Sequence, residues 1–513
     1  MNKKLIIGIL VIAIAVGVYA ISGNNSGSSN GSVKDTLIVG TPRDPGILDP
    51  NLINLQMVAA VNKQIYETLF TKDDKGNLQP LLAESWNRDN DLTVTIKLRQ
   101  GVKFHNGEEL TADDVLFSLK RASTMGSSSP AVSSIDFEKS NAVDKYTVQL
   151  ITKDVFVPML DYLDWPLTAI FSRKAYEEAN GDFAKCAIGT GAYKLKQYVS
   201  GDRIEFVAFD DYWGESAHVK NLVMRIIPEG SSRTMELETG GVDIIYEAPA
   251  TDLARLEENP DTKVYRDVSL CTQYLLIRTD HKPFDDVRVR QALAYAIDRE
   301  EAVRVAYNGT GVVATGYCSP AVRDFAPDVK PYEYNPEKAK QLLAEAGYPN
   351  GFETTFHTDT GLERSALAEN ISNQLGKVGI KCDIIAMEPV SYQSMFPDGL
   401  HNMHLNGLTC TTGEGDKAFR WFHSKHPSGV NFCMWINPEY DNLVDTAVKT
   451  LDDNKRKEIY RQIQQMLHDS CIIIPMLDRE ILSAARSNVK GFKNDISYEC
   501  PVLKNVYFEE PSK

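Results

Sequence analysis

From Leu5 to Ile21 the chain carries no charge, and no later stretch is apolar for long enough to cross a bilayer. Everything beyond that run must therefore bury its own core in water. Lys3 and Lys4 precede the run and Val18-Tyr19-Ala20 closes it with a small-residue cleavage site, the layout of an export signal; an uncleaved N-terminal anchor fits the same length. Residues 24–32, NNSGSSNGS, form a flexible polar tether. Residues 1–33 thus read as signal peptide or anchor plus tether, and the chain as extracytoplasmic, at the cell surface or in the periplasm. With 70 acidic against 55 basic residues the net charge is −15, which excludes nucleic acid and anionic membrane as partners.

The stretch LRQGVKFHNGEELTADDVLFSLKRA, Leu98 to Ala122, sets His105 beside Glu108, Glu109, Asp113 and Asp114, a grouping able to do acid–base chemistry. Local structure accounts for it instead. Leu92, Val94, Ile96 and Leu98 alternate with polar residues, the period of a strand with one buried face. His105-Asn106-Gly107 makes a turn, and Thr111 with Asp114 three residues on resembles a capping box that starts a helix at Ala112. Val115, Leu116 and Leu119 supply its apolar face, and Asp113 and Asp114 sit where the helix dipole favours negative charge.

Further helices are equally legible. Asn335 is the N-cap and Pro336 the first residue of one that runs through Ala339, Leu342, Leu343 and Ala346 to a terminating Gly347. Val289, Ala292, Leu293, Ala296 and Ile297 mark a second. Ile459, Ile463, Met466 and Leu467 mark a third, followed by a buried strand from Cys471 to Pro475. The eight cysteines contain no CxxC pair, which argues against a cysteine zinc site.

Nine segments in order resemble the ABC-transporter extracellular solute-binding proteins of family 5, the peptide and nickel binders. They are ILDPN (47–51), LAESW (82–86), the stretch from Leu98, IGTGAYKL (188–195), DDYWGE (210–215), ETGGVDIIY (238–246), PFDDVRVRQALAYAIDRE (283–300), YNPEKAKQLLAEAGYPNGF (334–352) and NPEYDNLVDTA (437–447). The resemblance implies an α/β, two-lobed periplasmic-binding-protein fold of type II, cluster C, with mixed sheets and a two-strand hinge. Lobe I would span residues 34–267, with an extra subdomain at about 70–185, lobe II 268–478, and 479–513 would return to lobe I. The hinge crossings fall near Ser269 and Leu477. The implied partners are a peptide or other small-molecule ligand and the permease subunits of an ABC importer, with no cofactor and a monomeric chain.

Relatives in the peptide branch meet the ligand's ammonium with an acid in the segment that here reads NGLTCTTGEGDKAFRWF, 406–422. Ungapped, Thr412 takes the acid's place, and Glu414 or Asp416 would serve if the register shifts, because a buried ammonium needs a counter-charge. The resemblance also assigns ligand contacts to Asn54, Gln56, Tyr246, Glu247, Tyr274 and Trp421, and a disulfide to Cys271 and Cys410. A nickel-chelate binder of the same family is the alternative, since His401/His404 and His423/His426 have HxxH spacing. A secreted peptide hydrolase is the alternative from another class; it lacks an HExxH motif or a cysteine nucleophile signature.

Overall fold

The computed structural model describes residues 34–509 apart from 53–55, 74–75, 126–129, 397–398, 400, 426–430 and 498–500. The expected export segment and tether, Asn54 and His426 therefore lie outside the described residues. Two long antiparallel strands, Thr262–Ile277 and Ile473–Arg486, run through the middle of an eleven-stranded sheet. We term them the first and second connectors. Beyond the second connector lie, in order, Ile244–Tyr246, Thr36–Thr41, Asn221–Ile226, Arg203–Ala208 and Tyr193–Val199; beyond the first lie Met403–Thr409, Glu353–Asp359 and Lys381–Met387. Thr36–Thr41 and Glu353–Asp359 pair in parallel with both neighbours and the other pairings are antiparallel, so the fold is α/β with mixed sheets.

Burial changes abruptly along both connectors. Every residue from Ser269 to Ile277 is buried, whereas Lys263 to Val268 are not; the second connector is fully buried from Ile473 to Asp478 and opens at Arg479. Register slips at the same place, Val268 facing Glu480 and Thr272 facing Asp478. Within that bulge Leu270 turns elsewhere: its N–H donates to Ile496 O at 3.2 Å and its carbonyl accepts from Cys410 N at 2.9 Å. Leu37, Val39, Leu222 and Met224 anchor one core, which also takes in Leu503 and Val506 near the C-terminus. Leu275, Leu293, Leu343 and Ile371 anchor another.

Thr93–Leu98 belongs to a separate four-stranded antiparallel sheet, with Val94, Ile96 and Leu98 buried as the alternation predicts. Leu92 departs from that expectation: it precedes the strand and is 37% exposed. The helix Ala112–Thr124 starts where expected, and the Asp114 carboxylate accepts from the N–H and hydroxyl of Thr111 at 3.0 and 2.7 Å. Val115 and Leu119 are fully buried beneath it, each contributing on the order of 2 kcal/mol. Asn335 caps Pro336–Glu345 by accepting from Lys338 N at 3.0 Å, and Gly347 takes φ +92° just past its end. The late helix spans Asp453–Ser470; Cys471 ends it in the left-handed region at φ 48°, so the strand after it begins at Ile473, two residues later than the apolar run suggests.

Candidate functional site

A cavity of about 400 Å³ lies where the two sides of the long sheet meet. Gln56, Tyr246 and Glu247 line it from one side, Tyr307, Asp359 and Arg364 from the other, and Gln273 and Arg479 from the connectors. Tyr246 ends a three-residue buried strand, and Glu247 follows in the left-handed region at φ 49°, which turns its carboxylate toward the Arg43 guanidinium. Arg43 also donates to Gln56 Oε1 at 3.2 Å. Opposite, Arg364 in the first turn of Leu362–Gly376 pairs with Asp359 at the end of its strand. The wall thus carries both signs of charge, suited to a solute that does the same.

Three of the expected contacts, Gln56, Tyr246 and Glu247, are brought together here. Tyr274 is not: its side chain packs in the core with Leu270 and Tyr317, and its hydroxyl donates to Tyr317 O at 3.0 Å. The neighbouring Gln273 takes the cavity-facing place, since successive strand residues point to opposite faces. A single glutamine set among Leu270, Tyr274, Leu275 and Leu276 was the available signal.

The 406–422 segment instead closes a seam against residues 154–165. Lys72 donates to Thr412 O and pairs with Asp164 at 3.0 Å, while Tyr162 OH donates to Asp416 Oδ2 at 3.0 Å. Lys417 Nζ donates to Thr411 Oγ1 at 2.5 Å and lies 4.2 Å from the Trp165 ring centroid. Burial pushes the Asp164 and Asp416 carboxyls up to about 6 and Lys417 down to about 8. Glu414 corrects the expectation of an ammonium partner, being already paired with the Arg323 and Arg456 guanidiniums. Thr412 engages through its backbone, and Trp421 packs 5.4 Å from the Phe432 ring, away from the cavity wall.

The expected Cys271–Cys410 bridge does not form. Cys271 pairs directly with Thr409, and Cys410 bonds to Leu270, so the two thiols leave opposite faces of the sheet. Cys410 is a buried thiol pushed up to about 12 by burial, with its Sγ on Glu414 O.

His401 and His404 make no metal site among the described residues. His401 and His404 stack edge to face at 4.6 Å in a core with Phe396 and Phe432, His401 Nε2 lies 2.6 Å from Phe432 O, and burial holds both rings neutral, His401 at about 4. His423 lies 3.7 and 3.5 Å from Asp441 and Asp445. Among the described residues no three His, Cys, Asp or Glu side chains group to hold a metal, and no helix is long and apolar enough to cross a membrane.

The family description "Bacterial extracellular solute-binding proteins, family 5 Middle" matches residues 77–429. The glutathione-binding protein GsiB of Escherichia coli K12 is 31% identical over 460 residues, covering 87% of this chain and 89% of its own. Among solved structures, the periplasmic binding protein DppA of Helicobacter pylori in complex with peptide STSA superposes with a TM-score of 0.78 at 26% identity, covering 93% of this chain and 99% of its own. The dipeptide-binding protein of Pseudoalteromonas sp. SM9913 in complex with Met-Leu gives 0.79 at 26% identity, covering 92% and 100%.

Proposed function

Because the chain belongs to the bacterial extracellular solute-binding proteins, family 5, and serves as the substrate-binding component of an ABC transporter, we propose that it holds a short peptide or peptide-like solute in the cavity between its two sides. The observation that carries this reading is a wall drawn from both sides of the connectors, with Arg364 and Arg479 facing the same space as Glu247 and Asp359. A zwitterionic solute bridging such a wall has more contacts when the sides approach, and that difference favours the closed form. Glutathione, an acidic tripeptide, and ordinary dipeptides both fit this chemistry, and both are bound by relatives named above.

In this reading residues 34–267 and 479–513 form lobe I, 268–478 form lobe II, and bending is confined to the bulge at 269–271 and the facing Leu477 and Asp478. A monomer exported to the cell surface or periplasm would present the closed form to its permease. Calorimetry with glutathione, dipeptides and nickel–histidine chelate tests the assignment. Glutathione or a dipeptide is expected to bind, with Arg364→Ala costing roughly tenfold or more in affinity, and scattering is expected to show a smaller radius of gyration on saturation. Exclusive binding of the nickel chelate, or cleavage of the peptides, would sink the reading.

A further inference from the structure

We propose that Gln273 reads the backbone of the bound solute: its carboxamide bonds the peptide N–H next to the solute's carboxylate, in a place that Gly407 leaves clear. The inference rests on the peptide reading above. Gln273 lies in the first connector within the run Ser269 to Ile277, all of it buried, and it lines the cavity between the two sides. Its neighbour Tyr274 donates to Tyr317 O, whereas the Gln273 carboxamide makes no hydrogen bond among the described residues. The charged groups around the same space are held by one another, Glu247 by Arg43, Asp359 by Arg364 and Glu480 by Arg266. Buried amides are ordinarily bonded, so one left open on a cavity is matched to what enters it.

Gly407 sets where that carboxamide lies. The two residues face each other across the pair formed by the first connector and Met403–Thr409. A Cβ on Gly407 would stand 2.5 Å from Gln273 Nε2 and 3.0 Å from its Cδ. The side chain therefore lies across the neighbouring strand, over the glycine, and any larger residue there would displace it. On its other flank Gln273 pairs with Leu477, whose side chain offers no polar atom. Its bonding is thus left to the cavity.

The position relative to Arg364 selects the part of the solute that is met. Asp359, the partner of Arg364, stands at the end of Glu353–Asp359, which pairs with Met403–Thr409. One strand therefore separates it from Gln273, a backbone distance of about 10 Å. An extended residue with its carboxylate at Arg364 turns its N–H and an oxygen to one side, as a strand residue does toward its partner. A carboxamide supplies the matching acceptor and donors: Oε1 accepts from the peptide N–H and Nε2 donates to a carboxylate oxygen. The contact requires a peptide N–H but no particular side chain, so Gln273 selects peptides by their backbone.

One experiment separates this inference from the reading beneath it. Met-Leu and glutathione are each compared, by calorimetry on the full chain, with the counterpart whose C-terminal peptide N–H is replaced by an ester oxygen. The peptides are expected to bind roughly tenfold tighter than their esters. Gln273→Met, which keeps the length and removes the carboxamide, should bring that preference below about threefold, with the loss borne by the peptides. Gly407→Ala displaces the carboxamide without removing it and should lower the preference in the same direction. Thermal melts identify a variant that fails to fold; should Gln273→Met do so, Gly407→Ala decides. Equal binding of peptide and ester by the unaltered chain, or a preference that survives these substitutions, overturns the role of Gln273 and leaves the peptide reading standing. Binding of neither peptide overturns both.

Discussion

Glu108, Glu109 and Asp114, after Leu98, and Glu414 and Asp416, after Asn406, stand in equally acidic neighbourhoods, but their oxygens meet different fates. In the first region the partners complete exposed pairs: Glu108 takes Lys174 at 2.5 Å, Glu109 takes Lys145 at 2.6 Å and Tyr146 at 2.8 Å, and Asp114 takes Thr111. These pairs lie at the surface, where strong hydrogen bonds hold Glu109 at about 2. In the second region the partners come from across the molecule, the groups are buried, and Glu414 Oε2 and Asp416 Oδ1 have no partner among the described residues. A carboxylate with every lone pair met nearby is architecture. One buried with capacity to spare controls how distant parts of the chain fit together.

The largest expected effect tests that contrast directly. Glu414→Gln leaves the Arg323 and Arg456 guanidiniums without their shared counter-charge and should cost about 3 kcal/mol or more in chemical denaturation. Glu109→Gln, at the surface, should shift the midpoint little by comparison. Equal costs would break the comparison.

The two regions should also respond oppositely to pH. The folded Asp416 carboxyl sits at about 6, above the ordinary 3.8, so its contribution is whole below pH 4 and is lost as pH rises through 6, an effect of up to about 3 kcal/mol. Asp416→Asn should flatten that part of the stability profile. His105 in the first region is pushed down to about 4 by burial, with its Nε2 2.8 Å from Gly191 O. Its contribution is whole above pH 6.5 and is lost as pH falls toward 4, and because the ring is only partly buried its slope should be the shallower. His105→Gln should remove the acid-side loss and leave the alkaline side unaltered.

The smallest expected effect is Thr111→Ala, which removes one hydroxyl from a local cap and should cost about 1 kcal/mol with no change in lobe closure by scattering. A change in closure would show that the first region reaches the cleft after all.

Elements whose signals lie within a helical turn or a strand's length were legible beforehand. The start of the helix at Ala112, the Asn335 cap and the buried set Val94, Ile96 and Leu98 depend on neighbours a few residues away. The cleft was legible only in part. Gln56, Tyr246 and Glu247 line the cavity between the two sides, Gln273 was marked only as the single glutamine in an apolar run, and Arg364 and Arg479 carried no local mark that set them apart from other polar residues.

By itself the sequence determined the family, the order of elements and the local caps, because periodicity and capping are short-range physics. Only the tertiary structure decided which side chains face one another across more than a hundred residues. Strand pairing places Thr409, not Cys410, opposite Cys271, and strand parity buries Tyr274 while turning Gln273 to the cavity. A one-residue difference in register leaves composition and hydropathy unchanged but sends the side chain to the other face of the sheet, so packing across the connectors is what fixes it.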